Sequence, residues 1–451
     1  MSTASSALSG VSGSSSAAGT SSFDPQTYVA QIIASEQGPE QLMQQQVSTL
    51  SAQATALSSI STQLDSLQTA VFALNDFQGA LAAKTATSSD TSVATATADA
   101  TASAGSHTLT VANLATTSSE YSNTLADGNT TFATGSFTVQ VGTGTAAMVT
   151  VDSTNNTLNG LAAAINSQGI GVQASVVVDA SGARLALVSN TSGAAGDLTI
   201  ASNTTGLTLT KSVTGTNANF TLDGIGLSSG SNTATGVLPG VTLQLAGVSS
   251  TPVSVVVTPD TTQATTAIQN FVTAYNTVIQ SLNTQFTYNP NTQSTGPLGS
   301  DGTIMQLQQQ LLGDAAFSVS GNSGMTNLAS IGVNMNEDGT LSVNTSTLSA
   351  SMASNFGAVQ NLFQQVTPAG FATNFNNDLL NLTDPVNGPL AVDQNGITQS
   401  TASLNQAITD FQNNLNAQQQ QLMQVYSQVA VTLQTMPTML SQVQSQMASV
   451  G

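Results

Sequence analysis

Two stretches of heptad-like apolar spacing stand at opposite ends of this chain, and they constrain its fold more than anything between them. After Gly38-Pro39, the positions Met43, Val47, Leu50, Ala54, Leu57, Ile60, Leu64, Leu67, Val71 and Leu74 follow steps of four and three, with a doubled three at Leu57–Ile60. Near the other end, Leu404, Ile408, Phe411, Leu415, Gln418, Leu422, Val425, Val429, Leu433, Met436, Leu440, Val443, Met447 and Val450 do the same, with a doubled four at Val429–Leu433. Such a stripe is the seam of a helix that packs on another helix. The doubled steps locally overwind or unwind the supercoil. Pro437 lies inside the second stripe and is expected to kink or end its helix. One stripe alone reads equally well as the core of a helix bundle. Two at opposite ends argue that the termini pair, with each other or with helices of another protein. From Thr401 onward the only charged side chain is Asp410, so specificity has to come from packing and from Gln and Asn amides.

Between the stripes the period changes. Thr108–Leu114, Phe137–Val141, Met148–Val151, Val172–Val178, Leu185–Ser189, Val241–Leu245 and Val253–Thr258 alternate, with Gly, Asn, Asp and Ser between them. These read as antiparallel strands and tight turns. One short helix is expected at Thr157–Asn166, with Leu158, Leu161, Ala162 and Ile165 on one face. Helical spacing returns at Ile268–Phe286, at Ile304–Ala315 and at Leu348–Phe363. Ile331–Val343 reads as a hairpin turning at Asp338-Gly339. At the front, Asp24-Pro25 is a helix start, with Asp as cap and Pro in the first turn. The fold class is therefore α+β and multidomain: terminal coiled-coil helices and a helical-bundle domain flank inserted antiparallel β domains.

Composition narrows the function. The 451 residues hold 3 Lys+Arg against 22 Asp+Glu, a formal net charge of -19, and charged residues make up 6%. A typical globular protein has about 25%. Lys84, Arg184 and Lys211 cannot neutralise the phosphates of a nucleic acid or of an anionic membrane. There is no cysteine, hence no thiol chemistry or disulfide, and a single histidine, His107, leaves little for triad or metal chemistry. No carboxylate pair suggests acid–base catalysis. No enzyme activity, cofactor or metal is expected. Asn334–Gly339 resembles half an EF-hand loop, but Thr345 stands where the bidentate Glu belongs, so a plain Asp-Gly turn is the reading taken. The Asn-x-Ser/Thr triplets at Asn129, Asn155, Asn190, Asn203, Asn219, Asn344 and Asn381 arise by chance in so Ser/Thr-rich a chain. No apolar run is long enough to span a bilayer. Residues 1–22 have too little apolar mass to fold and lack the basic and apolar regions of a secretory signal.

A set of short words, in order along the chain, resembles one known family. They include Phe23-Asp-Pro-Gln-Thr-Tyr-Val and Gly105-Ser-His-Thr-Leu-Thr-Val. Phe220-Thr-Leu-Asp-Gly-Ile225, Pro239-Gly-Val-Thr-Leu243 and Ile268-Gln-Asn-Phe-Val-Thr-Ala-Tyr-Asn276 follow. Leu298-Gly-Ser-Asp301, Leu328-Ala-Ser-Ile-Gly332, Asp338-Gly-Thr-Leu341 and Val359-Gln-Asn-Leu-Phe363 complete the set. Each word is weak alone; together they resemble the bacterial flagellar filament-cap family, hook-associated protein 2. Gly135-Ser-Phe-Thr-Val, Thr157–Asn166, Gly171–Val177 and Arg184-Leu-Ala-Leu-Val-Ser resemble the module that flagellins and hook-associated proteins share. The family's terminal helices carry charges where this chain has Ser, Ala and Gln.

The resemblance implies a homo-oligomeric ring, commonly of five copies, at the distal tip of the filament. There it would retain exported flagellin and promote its polymerisation. It implies hook-associated proteins and an export chaperone at the C-terminal helix as further partners. It also implies secretion by the flagellar type III route without a cleaved signal. Zero disulfides suit a chain that threads a pore unfolded. The expected division is a disordered 1–22, a leg and first bundle helix at 23–87, and a β domain of 88–118 plus 207–262. An inserted β domain follows at 119–206, then a helical bundle with hairpin at 263–398 and a C-terminal leg at 399–451. The residues expected to carry assembly are Val47, Leu50, Leu57, Leu64, Leu67 and Val71 in front. Behind them come Leu404, Ile408, Phe411, Leu415, Leu422, Val425, Val429, Leu433 and Leu440. A tip-exposed adhesin and a hook–filament junction protein are the alternatives.

Overall fold

The computed structural model describes residues 23–291 and 293–448; the stretch 1–22 expected to be disordered, and Val450 of the second seam, lie outside them. The chain opens with α1 (Pro25–Glu36) and α2 (Gly38–Asn75). Six strands follow: β1 (Lys84–Ser88), β2 (Ala94–Ala98), β3 (Gly105–Asn113), β4 (Thr117–Ser122), β5 (Gly135–Val141) and β6 (Ala147–Val151). After α3 (Leu158–Gln168) come β7 (Val172–Asp179), β8 (Gly182–Ser192), β9 (Leu198–Ala201), β10 (Leu209–Val213), β11 (Ala218–Leu222) and β12 (Ile225–Ser229). β13 (Thr233–Leu238), β14 (Val241–Leu245) and β15 (Val253–Pro259) lead to α4 (Thr261–Phe286) and α5 (Gly302–Ala315). The hairpin β16 (Val333–Met335) and β17 (Leu341–Val343) precedes α6 (Thr345–Gln364), α7 (Phe371–Leu382) and α8 (Pro389–Ala448).

These elements form two compact units: one holds the described residues up to Gln63, Ser281–Gln308 and those from Asn381; the other holds Leu64–Gln280 and Gln309–Leu380. In the first unit, Asp24 starts α1 by accepting the Gln26 amide at 3.1 Å, with Pro25 in the first turn. The chain breaks at Gln37 and restarts at Gly38-Pro39. α1 lies on the middle of α8, where Val29, Ile33 and Leu415 are buried and Phe411, Leu422, Met423 and Tyr426 pack around them. α8 does not end at Pro437 but continues to Ala448. The proline frees the Leu433 carbonyl, and every side chain from Val431 to Ala448 is exposed, so water can take that hydrogen bond. The division expected at 398/399 falls inside this helix.

In the second unit the strands build two cores. The five-stranded sheet β1-β15-β3-β11-β12 faces the three-stranded sheet β13-β14-β2, all pairs antiparallel. Val253, Val255 and Val257 of β15 alternate inward, as the period of two requires, and meet Leu109, Phe220 and Leu243 in one cluster. The second core joins the sheets β10-β4-β8-β7 and β6-β5-β9 to α3. Thr157 caps α3 by accepting the Gly160 amide at 3.1 Å, and Gly169 ends it in the left-handed region. Leu158, Leu161, Ala162 and Ile165 are buried, and each fully buried Leu or Ile contributes roughly 1.5–3 kcal/mol.

The helical part of the second unit is held by aromatic contacts. Phe271 of α4 meets Phe371 and Phe375 of α7 edge-on at 5.5 and 5.7 Å, and Phe363 of α6 meets Phe371 at 5.7 Å. The expected hairpin is shorter than its alternation: Ile331 belongs to a helical turn, Leu328–Ile331, capped by Asn327. At its tip Asp338 accepts from the Thr340 amide and hydroxyl, and Gly339 sits at φ +82°, so the turn closes as a plain Asp-Gly turn. Asn276 of α4 donates to the Leu341 carbonyl at 2.7 Å and accepts from its amide at 2.6 Å, fixing β17 to the helix.

Candidate assembly surface

The two seams are used differently. In α2, Val47 and Leu50 are half-buried, whereas Leu57, Leu64, Leu67 and Val71 are at most 2% exposed. The deeper part of this stripe is therefore core within the protein itself. In α8, Leu415 is buried and Leu404, Ile408, Phe411 and Leu422 are half-buried. Val425, Val429, Leu433 and Leu440 are 56%, 40%, 46% and 60% exposed, and Met436, Val443 and Met447 continue the stripe at 52–74%. A helix normally turns such a stripe toward a core. Here the last two dozen residues of α8 present it to solvent.

The packed stretch of α8 is held by groups that the apolar spacing does not reveal. Phe23 stacks on Tyr28 at 4.9 Å and meets Tyr426 at 5.8 Å. Gln412 donates to Glu40 at 2.6 Å and Gln418 to Glu36 at 3.1 Å. These amide-to-carboxylate bonds stand where a charged coiled coil would place ion pairs, and hydrogen bonds to a charged acceptor are the stronger kind. Glu36 and Glu40 could have been suspected from sequence as the only acidic residues near the α1–α2 break. Tyr426 was hidden, because it lies one residue off the seam.

The remaining polar chemistry is intramolecular. His107 Nδ1 lies 2.7 Å from Asp223, and this contact, with the Thr108 amide, holds the Asp223 carboxyl below the usual range. Lys211 pairs with Asp197 at 2.8 Å, Arg184 sits 5.6 Å over the Tyr121 ring, and Lys84 donates to the Ala82 carbonyl at 2.9 Å. Among the described residues no group of three or more His, Asp or Glu is placed to hold a metal ion, and no helix is long and apolar enough to cross a membrane.

Fold and surface together define an α+β multidomain protein whose terminal helices meet, whose inserted domains are antiparallel β, and whose last helix carries an unpartnered apolar stripe. Residues 21–118 match the family model for the N-terminus of flagellar hook-associated protein 2, and residues 215–438 match the model for its C-terminus. The chain belongs to the flagellar hook-associated protein 2 family. It is 28% identical to the B-type flagellar hook-associated protein 2 of Pseudomonas aeruginosa over 88% of either chain. It is 26% identical to the flagellar hook-associated protein 2 of Escherichia coli K12, over 62% of this chain and 66% of that one. Among solved structures it is similar to the D1-D2-D3 domains of the flagellar cap protein FliD from Escherichia coli, with a TM-score of 0.61 and 28% identity, covering 76% of this chain and 99% of that one.

Proposed function

We propose that this protein caps the flagellar filament. Several copies, five in the expected ring, sit outside the cell at the distal tip, retain exported flagellin and promote its polymerisation. The chain reaches that place through the flagellar export channel. Hook-associated proteins are contacted before the filament grows, and an export chaperone covers the C-terminal helix before secretion. The observation that carries this reading is the exposed apolar stripe of α8, from Val425 to Met447, on a helix whose preceding turns are anchored by α1. A seam left open is suited to helices of other subunits, and its neutrality leaves apolar packing as the means of attachment. We assign the two strand-rich cores to two plate domains, 88–118 with 207–262 and 119–206. Leu57, Leu64, Leu67 and Val71 support the leg from inside, and Val425, Val429, Leu433 and Leu440 make the contacts.

The test is a strain carrying Val425→Ser, Val429→Ser and Leu433→Ser together. These residues are exposed, so the secreted protein should fold and melt as the parent does. Swimming should stop and flagellin should accumulate in the medium. Normal motility with normally secreted variant would overturn the role given to the stripe.

A further inference from the structure

Asp314 near the end of α5 and Asp378 near the end of α7 are brought side by side. Gln310, one turn before Asp314, donates its amide nitrogen to both, at 3.0 Å to Asp314 Oδ1 and 3.3 Å to Asp378 Oδ2. Two carboxylates sharing one donor repel each other, and a half-buried setting strengthens the repulsion. The other Asp314 oxygen, Oδ2, is buried and receives no N–H or O–H among the described residues. An ionised carboxylate with a dry, undonated oxygen is costly. A protonated Asp314 removes the cost, because its O–H donates to the Asp378 carboxylate and one proton serves both groups.

The surroundings offer no alternative. From α4 the facing titratable group is Tyr275, whose buried hydroxyl donates to the Leu311 carbonyl at 3.5 Å and brings no positive charge. The three cations are occupied elsewhere: Lys84 by a backbone carbonyl, Lys211 by Asp197, Arg184 by Tyr121. His107 is held by Asp223.

We propose that Asp314 and Asp378 share a single proton and form a pH-sensitive latch between α5 and α7, closed in acidic medium and released as the pH rises through neutrality. Burial, with the hydrogen bond and charge of Asp378 behind it, pushes the Asp314 carboxyl up to about 7. In the unfolded chain an aspartate titrates near 3.9. The folded state therefore holds the proton more tightly, and the stabilisation is fully present below about pH 4 and lost as the pH climbs through about 7. This is opposite to the depressed Asp223. What the latch secures is α7, whose Phe371 and Phe375 pack on α4 two turns and one turn before Asp378.

The full-length chain and its Asp314→Asn variant decide the matter. The amide of the variant can still donate to Asp378 but cannot ionise. Melting of the parent should fall by several degrees between about pH 5 and pH 8, and the variant should lose less and melt higher than the parent at the alkaline end. Carboxyl carbon NMR of the parent should show one aspartate titrating near pH 7, missing in Asp314→Asn and in Asp378→Asn. A parent with no aspartate titrating above about pH 5.5, or a variant with the parent's pH slope, overturns the latch. If neither variant folds, the parent's titration decides alone.

Discussion

Gln364 is one of the few buried polar side chains, 3% exposed, and its amide nitrogen donates to the Leu74 carbonyl at 3.0 Å and the Asp76 carbonyl at 2.8 Å. The last carbonyls of a helix have no intrahelical partner, and this amide satisfies that of Leu74 and ties the turn after α2 through Asp76. Gln364→Leu keeps the bulk and removes both bonds; the Asp76 carbonyl keeps the Gly79 amide at 3.0 Å, while the buried bond to the Leu74 carbonyl is lost without replacement. The expected cost is about 1–3 kcal/mol, read as a drop in thermal midpoint without change of fold. An unchanged midpoint would remove Gln364 from the structural account. Sequence could not have singled it out. It follows Leu362 and Phe363 in a chain full of glutamine, and its partner Leu74 lies 290 residues away. Separation in sequence likewise hides Asn276, which lies 65 residues from Leu341, and Asp314 beside Asp378. The legible residues are those whose partners are local: Asp24 reaches Gln26, Thr157 reaches Gly160, and Asp338 reaches Thr340.

At the scale of elements, legibility follows side-chain size and helix length. The strands rich in Val, Leu and Phe are where their alternation puts them. β2, β4 and β13 are built mainly from Ala, Thr and Ser, carry little apolar contrast, and are strands because their neighbours pair with them. α7 escaped for a related reason: Asn and Thr separate its buried Phe371, Phe375 and Leu379. Of the candidate surface, the spacing located both stripes but not which part stays open, because burial depends on what the rest of the chain brings to each turn. α8 poses the sharper question. Beyond Tyr426 every described side chain except Ala430 is exposed, and most helical stability in proteins comes from packing. A peptide covering Ser427–Ala448 should therefore show little helix alone by circular dichroism, and gain it when a partner covers the stripe. A fully helical monomeric peptide would mean that this segment needs no partner to order it.

For the molecule as a whole, the scarcity of cations sets how copies of it can associate. With a net charge of -19 and three cations already engaged, one copy has almost nothing positive to offer the acidic surface of another. Surface ion pairs are weak and screened in any case, so an assembly built on them dissociates as salt is added. Apolar seams behave otherwise, because salt does not weaken apolar burial, and screening also relieves the repulsion between like-charged copies. The proposed ring should accordingly persist, or be strengthened, between about 0.05 M and 0.5 M sodium chloride. Mass measurement by light scattering on the full-length chain across that range would show it. Serine substitution at Val425, Val429 and Leu433 should lower the assembled fraction at every salt concentration. Dissociation of the parent at moderate salt would instead place the association on charged groups, and the open stripe of α8 would then need a different occupant.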